Sequence, residues 1–216
     1  MHRTRHISAL ILAAGRSRRM GAFKPLLPLR GGTVIECTVE SALQGGAEWA
    51  VVVTGNRAED VEAVLNARFS DRVRTVRNEE WAHTDMLRSV QIGAAALGDC
   101  NAFFLLPGDM PFVDPATFAA LLEQRQKSPA PVLFPVANGQ RGHPPLIDAA
   151  LIPAILNYHG EDGLRGLWRQ YEADIRTIPV EDSGIFTDLD TPEDYERRTA
   201  PGGNLPAGLS RKHGKS

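Results

Sequence analysis

Apolar residues along this chain come in short unbroken runs set between amphipathic stretches. Ile7–Ala14, Trp49–Thr54 (WAVVVT) and Asn101–Leu106 (NAFFLL) are apolar without alternation. Runs of that kind mark strands covered on both faces, as in parallel sheets. Val73 with Val76, Pro131–Val136 and Ile175–Val180 predict further strands. Helices are expected between them. Thr33 with Glu36 forms a capping-box pattern for a helix to about Leu43, closed by Gly45-Gly46. Ala58–Ala67 reads as helical. Asp85 or Thr84 caps a helix from Met86 to Leu97, with Leu87, Val90 and Ala94 on one face. Asp114 followed by Pro115 opens another, to about Gln126. Pro25–Leu29 is expected to be extended, with a turn at Gly31-Gly32. Asn138-Gly139 signals a hairpin, with Gly142–Ile147 as its returning partner. Asp148–Asn157 and Gly163–Tyr171 read as helices and Ile185–Leu189 as extended. Thr191-Pro192-Glu193-Asp194 starts the last helix.

Strand alternating with helix through Val136 predicts an α/β fold: three layers, doubly wound, with a mostly parallel, Rossmann-like sheet. The 216 residues suit one domain, expected over residues 1–199. Residues 200–216 are rich in Gly and Pro and have no apolar face, so they read as a flexible tail or linker. The formal net charge of −2 gives no global pull toward nucleic acid or an anionic membrane. No run reaches the roughly 18 apolar residues of a membrane span. Arg3, Arg5 and the run to Gly15 imitate a secretory signal, but a strongly basic segment follows the supposed cleavage site. Cys37 and Cys100 lie far apart without metal spacing and read as free thiols. A cytoplasmic protein is expected.

The chemistry concentrates where strands end. The first strand empties at Gly15 into a loop holding Arg16, Arg18, Arg19 and Lys24. Glycine lets backbone N–H groups approach phosphate, and fixed cations neutralise it, so the loop is a candidate triphosphate cradle. It is neither a Walker A motif nor G-x-G-x-x-G. Asp109 follows another buried strand, in Gly108-Asp109-Met110-Pro111, and in a doubly wound sheet it shares the ligand edge with the Gly15 loop. In Thr187-Asp188-Leu189-Asp190, Asp188 and Asp190 point to one face of an extended segment. One or two carboxylates beside phosphates suffice for Mg²⁺. A two-carboxylate Mg²⁺ site next to a basic loop describes phosphoryl or nucleotidyl transfer. His143, between Gly142 and Pro144-Pro145, reads as either a rigid pocket-lining residue or a surface-loop histidine. Trp81 and Trp168 read as core or lid residues.

Three motifs in order carry a resemblance. They are Leu12-Ala13-Ala14-Gly15-x-Ser17-x-Arg19-Met20-Gly21-x-x-Lys24, then Gly108-Asp109-Met110-Pro111, then Asp188-Leu189-Asp190-Thr191-Pro192-Glu193-Asp194. Over about residues 6 to 198 the chain resembles the MobA-like nucleotidyltransferases of the glycosyltransferase-A-like α/β superfamily. It looks most like the molybdenum cofactor cytidylyltransferases. Ala13-Ala14-Gly15 stands where guanylyl-transferring relatives carry Ala-Gly-Gly. Met86-Leu87-x-Ser89-Val90 falls on the base-pocket helix, and Arg141-Gly142-His143-Pro144 and Leu164-Arg165 match acceptor-side segments. The resemblance implies CMP transfer from CTP to molybdenum-bound molybdopterin, with Mg²⁺ as cofactor. It leaves room for a molybdoenzyme or its maturation chaperone as a protein partner. The implied roles are residue by residue. Arg19 and Lys24 grip the triphosphate. Asp109 and Asp190 hold Mg²⁺. Leu12, Ala13, Ala14, Gly15 and Ser89 form the nucleotide site, and His143 and Arg165 the acceptor side. The alternatives are GMP transfer to the same cofactor, or nucleotidyl transfer to another phosphorylated acceptor such as a sugar phosphate. Outside the enzymes, the alternative is a pterin-binding chaperone without catalysis.

Overall fold

The computed structural model describes residues 6–15 and 20–199. The expectation of a flexible tail at 200–216 lies outside the described residues. In chain order the strands are β1 Ile7–Ala13, β2 Pro28–Leu29, β3 Gly32–Thr33, β4 Trp49–Thr54, β5 Val73–Arg77, β6 Ala102–Pro107, β7 Val132–Ala137, β8 Gln140–Arg141, β9 Leu146–Asp148 and β10 Arg176–Pro179. The α-helices are α1 Val34–Gln44, α2 Ala58–Phe69, α3 Met86–Ala96, α4 Pro115–Lys127, α5 Ile152–Leu156, α6 Gly163–Gln170 and α7 Pro192–Thr199. Among the described residues no helix is long and apolar enough to cross a membrane.

The main sheet runs β10-β7-β9-β6-β1-β4-β5, with β8 paired to β7. Along that path only β9 opposes its neighbours. The unalternated apolar runs now have their reason. In β1, Ala9, Ile11 and Ala13 face a core built with α1, α2 and α4, while Leu10 faces one built with α3, α5 and α6. Ala50 and Val52 of β4, and Phe104 and Leu106 of β6, join the first core. Val51, Val53, Phe103 and Leu105 join the second. Side chains alternate faces with a period of two, so a strand covered on both sides is apolar at nearly every position, with Ser8 of β1 and Thr54 of β4 as the buried polar exceptions.

The expected caps are in place. Thr33 and Glu36 satisfy each other's backbone N–H groups at the start of α1. Asp85 caps α3 by accepting from Arg88 N, and Asp114 caps α4 ahead of Pro115. Three local expectations are corrected. The hairpin partner at Asn138-Gly139 is Gln140–Arg141, whereas Leu146–Asp148 inserts between β6 and β7. Asn138 and Gly139 both have positive φ, 51° and 75°, which gives a two-residue turn and leaves no room for a longer loop. Lys24–Leu26 form one turn of 3-10 helix rather than an extended start, and Ser183–Phe186 form another where an extended piece was expected.

That second turn is held tightly. Asp182 is buried and accepts from Asp114 N at 2.9 Å, Thr117 Oγ1 at 2.7 Å and Gly184 N at 2.7 Å. Gly184 lies against the backbone of Phe112, where an added Cβ would stand 2.1 Å from the carbonyl oxygen. A backbone carbonyl cannot step aside as a side-chain tip can. Gly184→Ala is therefore expected to cost about 1–3 kcal/mol of folding stability, read from the urea midpoint. An unchanged midpoint would refute this account of the turn.

Candidate active site

The chain doubles back at β1, stepping first to β4 and β5 on one side and later to β6 on the other. A reversal of that kind leaves a crevice beyond the carboxyl ends of the strands. A cleft of about 640 Å³ lies there, lined by the chain leaving β1 (Leu12, Ala13, Ala14, Gly15) and leaving β6 (Pro107, Gly108, Asp109). The remaining lining comes from Lys24 and Pro25, from the segment 81–89, and from Asp188 and Asp190.

The two strand ends are locked together. Gly108 N donates to Leu12 O at 2.8 Å. A Cβ at Gly108 would lie 3.0 Å from that same oxygen and 3.0 Å from Ile35 Cδ1. Glycine thus lets the Asp109 loop close onto β1. Asp109 in turn is tied to the far end of the chain, because its carbonyl accepts from Leu189 N at 3.1 Å. Leu189 is fully buried with Leu29, Val34, Cys37 and Phe112. Its anchoring leaves its neighbours Asp188 and Asp190 in the cleft lining.

The centre of charge is Lys24. Its Nζ lies 2.5 Å from Asp190 Oδ1 and 3.2 Å from Asp109 Oδ2, and the residue is only 7% exposed. Burial pushes the Asp109 carboxyl above its usual range. The Lys24 ammonium opposes that shift, and the Asp188 charge adds to it. Among the described residues no cage of three or more His, Cys, Asp or Glu side chains is preformed. Two hard carboxylates already sharing a cation do fit a divalent ion of the kind that completes its shell with phosphate and water oxygens.

The opposite end of the cleft carries one acid, Asp85, among hydroxyl and apolar side chains. Ala14 is buried, and Gly55 admits Trp81 beside it: a Cβ on Gly55 would fall 2.6 Å from Trp81 Cβ and 3.0 Å from Ala14 Cβ. Ser89, buried on α3, accepts a hydrogen bond from Asn78 Nδ2 at 3.0 Å. The structure thus brings together Leu12, Ala13, Ala14, Gly15, Lys24, Ser89, Asp109 and Asp190. Arg19 lies outside the described residues. His143 and Arg165 do not line this cleft. His143 Nδ1 is 3.4 Å from Leu105 O. Burial lowers its pKa, while the Leu105 carbonyl and the charges of Asp109 and Asp188 oppose that shift, so the ring lies within electrostatic reach of the acidic end. Arg165 is exposed on α6. Sequence reasoning missed Asn78, Thr84 and Asp85 as parts of the site. The available signal was position: all three fall between the carboxyl end of β5 and the start of α3, on the ligand edge.

The model of the MobA-like NTP transferase domain matches residues 9–175. The chain belongs to this family. A molybdenum cofactor cytidylyltransferase from Escherichia coli (strain K12) is 28% identical over 191 residues, covering 88% of this chain and 93% of that protein. A protein of Paenarthrobacter nicotinovorans named nicotine blue oxidoreductase is 32% identical, covering 88% and 95%. Among solved structures, Rv0371c from Mycobacterium tuberculosis H37Rv superposes with a TM-score of 0.75 at 27% identity, covering 90% of this chain and 98% of that one. A manganese complex of Rv0371c has also been solved, with a TM-score of 0.70 to this chain. The MobA-like fold, the mostly parallel sheet and the nucleotidyltransferase class are therefore as the sequence led us to expect.

The raised Asp109 pKa has a sign that can be tested. Between a carboxylate's ordinary pKa and the raised value, the folded chain keeps a proton that the unfolded chain has released. Stability from this group is present at low pH and lost as pH rises through the folded pKa. In Asp109→Asn that part of the pH slope should vanish, read as urea midpoints across the acid range. An unaltered slope would show that another group carries it.

Proposed function

We propose that this protein is a cytoplasmic, divalent-ion-dependent nucleotidyltransferase that moves CMP from CTP to molybdenum-bound molybdopterin, releasing pyrophosphate. The observation that carries the proposal is the buried Lys24 ammonium held between Asp109 and Asp190 at one end of a cleft whose other end is lined mostly by uncharged groups. Similar proteins carry both a transferase and an oxidoreductase name. Fold alone does not choose between them. Paired carboxylates and a cation at a strand-end crevice match a polyphosphate and its metal.

In this reading an oxygen of the acceptor's terminal phosphate attacks the α-phosphorus of CTP. The bond from that phosphorus to the bridging oxygen breaks, and pyrophosphate leaves with the electron pair. Asp109 and Asp190 would hold Mg²⁺, which supplies charge neutralisation on the phosphates; the manganese complex of Rv0371c is consistent with such a divalent ion. Lys24 then turns its charge from the carboxylates to the triphosphate, joined by Arg19. The strand-end backbone at Leu12, Ala13 and Gly15 lies along the base and sugar. The Ala14 methyl narrows the slot where guanylyl-transferring relatives have glycine, which favours a pyrimidine. His143, near the acidic end, and Arg165 serve the acceptor side. A molybdoenzyme or its maturation chaperone would receive the product. Two buried free thiols fit a reducing compartment.

The deciding assay is pyrophosphate release with CTP or GTP, with and without molybdenum-bound molybdopterin. Release that requires the pterin and favours CTP is expected; equal turnover of CTP and GTP would sink the base assignment. Asp109→Ala should lower kcat by about a hundredfold or more. A protein that only chaperones the pterin would tolerate that change. Arg19→Ala should weaken triphosphate handling by about 1.5–3 kcal/mol, the worth of a hydrogen bond to a charged group.

A further inference from the structure

Asn78 is almost fully buried, and every polar atom of its side chain is used. Its Oδ1 accepts from Glu80 N at 3.1 Å. A backbone N–H can only donate, so this contact fixes which way round the amide sits. Nδ2 therefore faces two hydroxyls, Thr84 Oγ1 at 3.0 Å and Ser89 Oγ at 3.0 Å, and donates to both. The two hydroxyls then differ. Thr84 spends its own proton on Glu80 O at 3.1 Å. Ser89 has accepted one bond, and its proton meets no acceptor among the described residues. Ser89 also lines the cleft, together with Ala14, Trp81, Thr84 and Asp85.

We propose that Asn78 is a specificity-positioning residue: by donating to Ser89 it turns that serine's proton toward the base slot, which then selects a base edge that accepts hydrogen bonds. This inference rests on the nucleotide reading above and deepens it. A serine hydroxyl has one proton and two lone pairs. With the amide on one lone pair, the proton is left for the ligand. Cytosine offers adjacent acceptors at its ring nitrogen and 2-carbonyl. The corresponding edge of guanine has an acceptor only at its 6-carbonyl and presents N–H groups at the ring nitrogen and the 2-amino group, which would oppose a serine proton set against them. A buried donor without an acceptor costs more than an exchanged bond gains, so the wrong base is rejected by an unmet hydrogen bond as well as by size.

Asn78→Asp keeps the shape and the Oδ1 contact to Glu80 but replaces the donor with an acceptor. The serine proton is then drawn to the carboxylate, and only lone pairs face the slot. The test is equilibrium binding of CTP and of GTP, each with Mg²⁺, to the wild type, Asn78→Asp, Ser89→Ala and the double variant, with thermal melting as a fold control. Binding does not depend on the acceptor, so a wrong acceptor assignment leaves the measurement intact. A wild-type preference for CTP that falls about tenfold or more in Asn78→Asp supports the proposal. The fall must disappear when Ser89 is already alanine, since a merely structural role would persist there. If Asn78→Asp does not fold, Ser89→Ala alone decides: retained base discrimination overturns the proposal. A CTP preference unchanged in folded Asn78→Asp also overturns it, while the cytidylyl reading stands. A wild type that prefers GTP overturns both.

Discussion

Two carboxylates and one ammonium fix the geometry of this molecule's working edge. Asp109 and Asp190 bear like charges on segments 81 residues apart in sequence, and the cation between them is 85 and 166 residues away from each. Without a shared positive charge, ionising both acids would be opposed and one would hold its proton to higher pH. Burying Lys24 has a desolvation cost that only good geometry offsets. Much of the local architecture supplies that geometry. Gly108 closes the β6 end onto β1, Leu189 is anchored in a small apolar cluster, and Asp182 pins the turn that leads to it. The sheet gives these segments a common edge; the ion triple sets how they meet.

The cleft is polar in a graded way. Its acidic end holds mobile charge that a bound cation could take over. Its other end is lined by hydroxyls, a methyl, an indole and the helix-capping carboxylate of Asp85, with the Asn78 amide bonded to Ser89. That asymmetry mirrors a nucleotide, which is neutral at the base and polyanionic at the phosphates. Charge recognises the phosphates over several ångströms and with little angular demand. Base recognition needs direction, so it falls to groups whose protons are held in place. It is consistent that the less charged end is built on a capped helix and a strand terminus, which hold side chains more rigidly than an open loop.

Much of this was legible in the sequence because the signals were local. Unalternated apolar runs gave the doubly covered strands, and capping pairs such as Thr33–Glu36 gave the helix starts almost to the residue. Glycine-flanked Asp109 and the Asp188–Asp190 pair marked the charged edge. What escaped was set by tertiary partners. The insertion of Leu146–Asp148 between β6 and β7 depends on pairing over some forty residues, which no local pattern encodes. Asn78 carries no motif of its own. It matters because a strand end, a turn and a helix converge on one amide, and that convergence exists only in the folded chain. The split of the acceptor-side candidates has the same origin: His143 is held against the Leu105 carbonyl of β6 while Arg165 stands exposed on a helix, and neither lines the cleft.

Relatives that share this fold over nearly their whole length carry names for different reactions. The sheet edge therefore constrains where a ligand lies more than what becomes of it. In this chain the two kinds of information are separable. In the proposed reading the carboxylates and lysine define a place for phosphates and a cation, and changing any of them would change the chemistry. In the same proposed reading the hydroxyl of Ser89 defines the face shown to the base, and its sense depends on Asn78, a neighbour that lies outside the β1 loop motif. A base preference can then change by reversing one proton's direction, with the strand-end motif left intact. Divergence within such a family needs no rebuilding of the catalytic edge, because direction at the less charged end and charge at the acidic end are held by different elements of the fold.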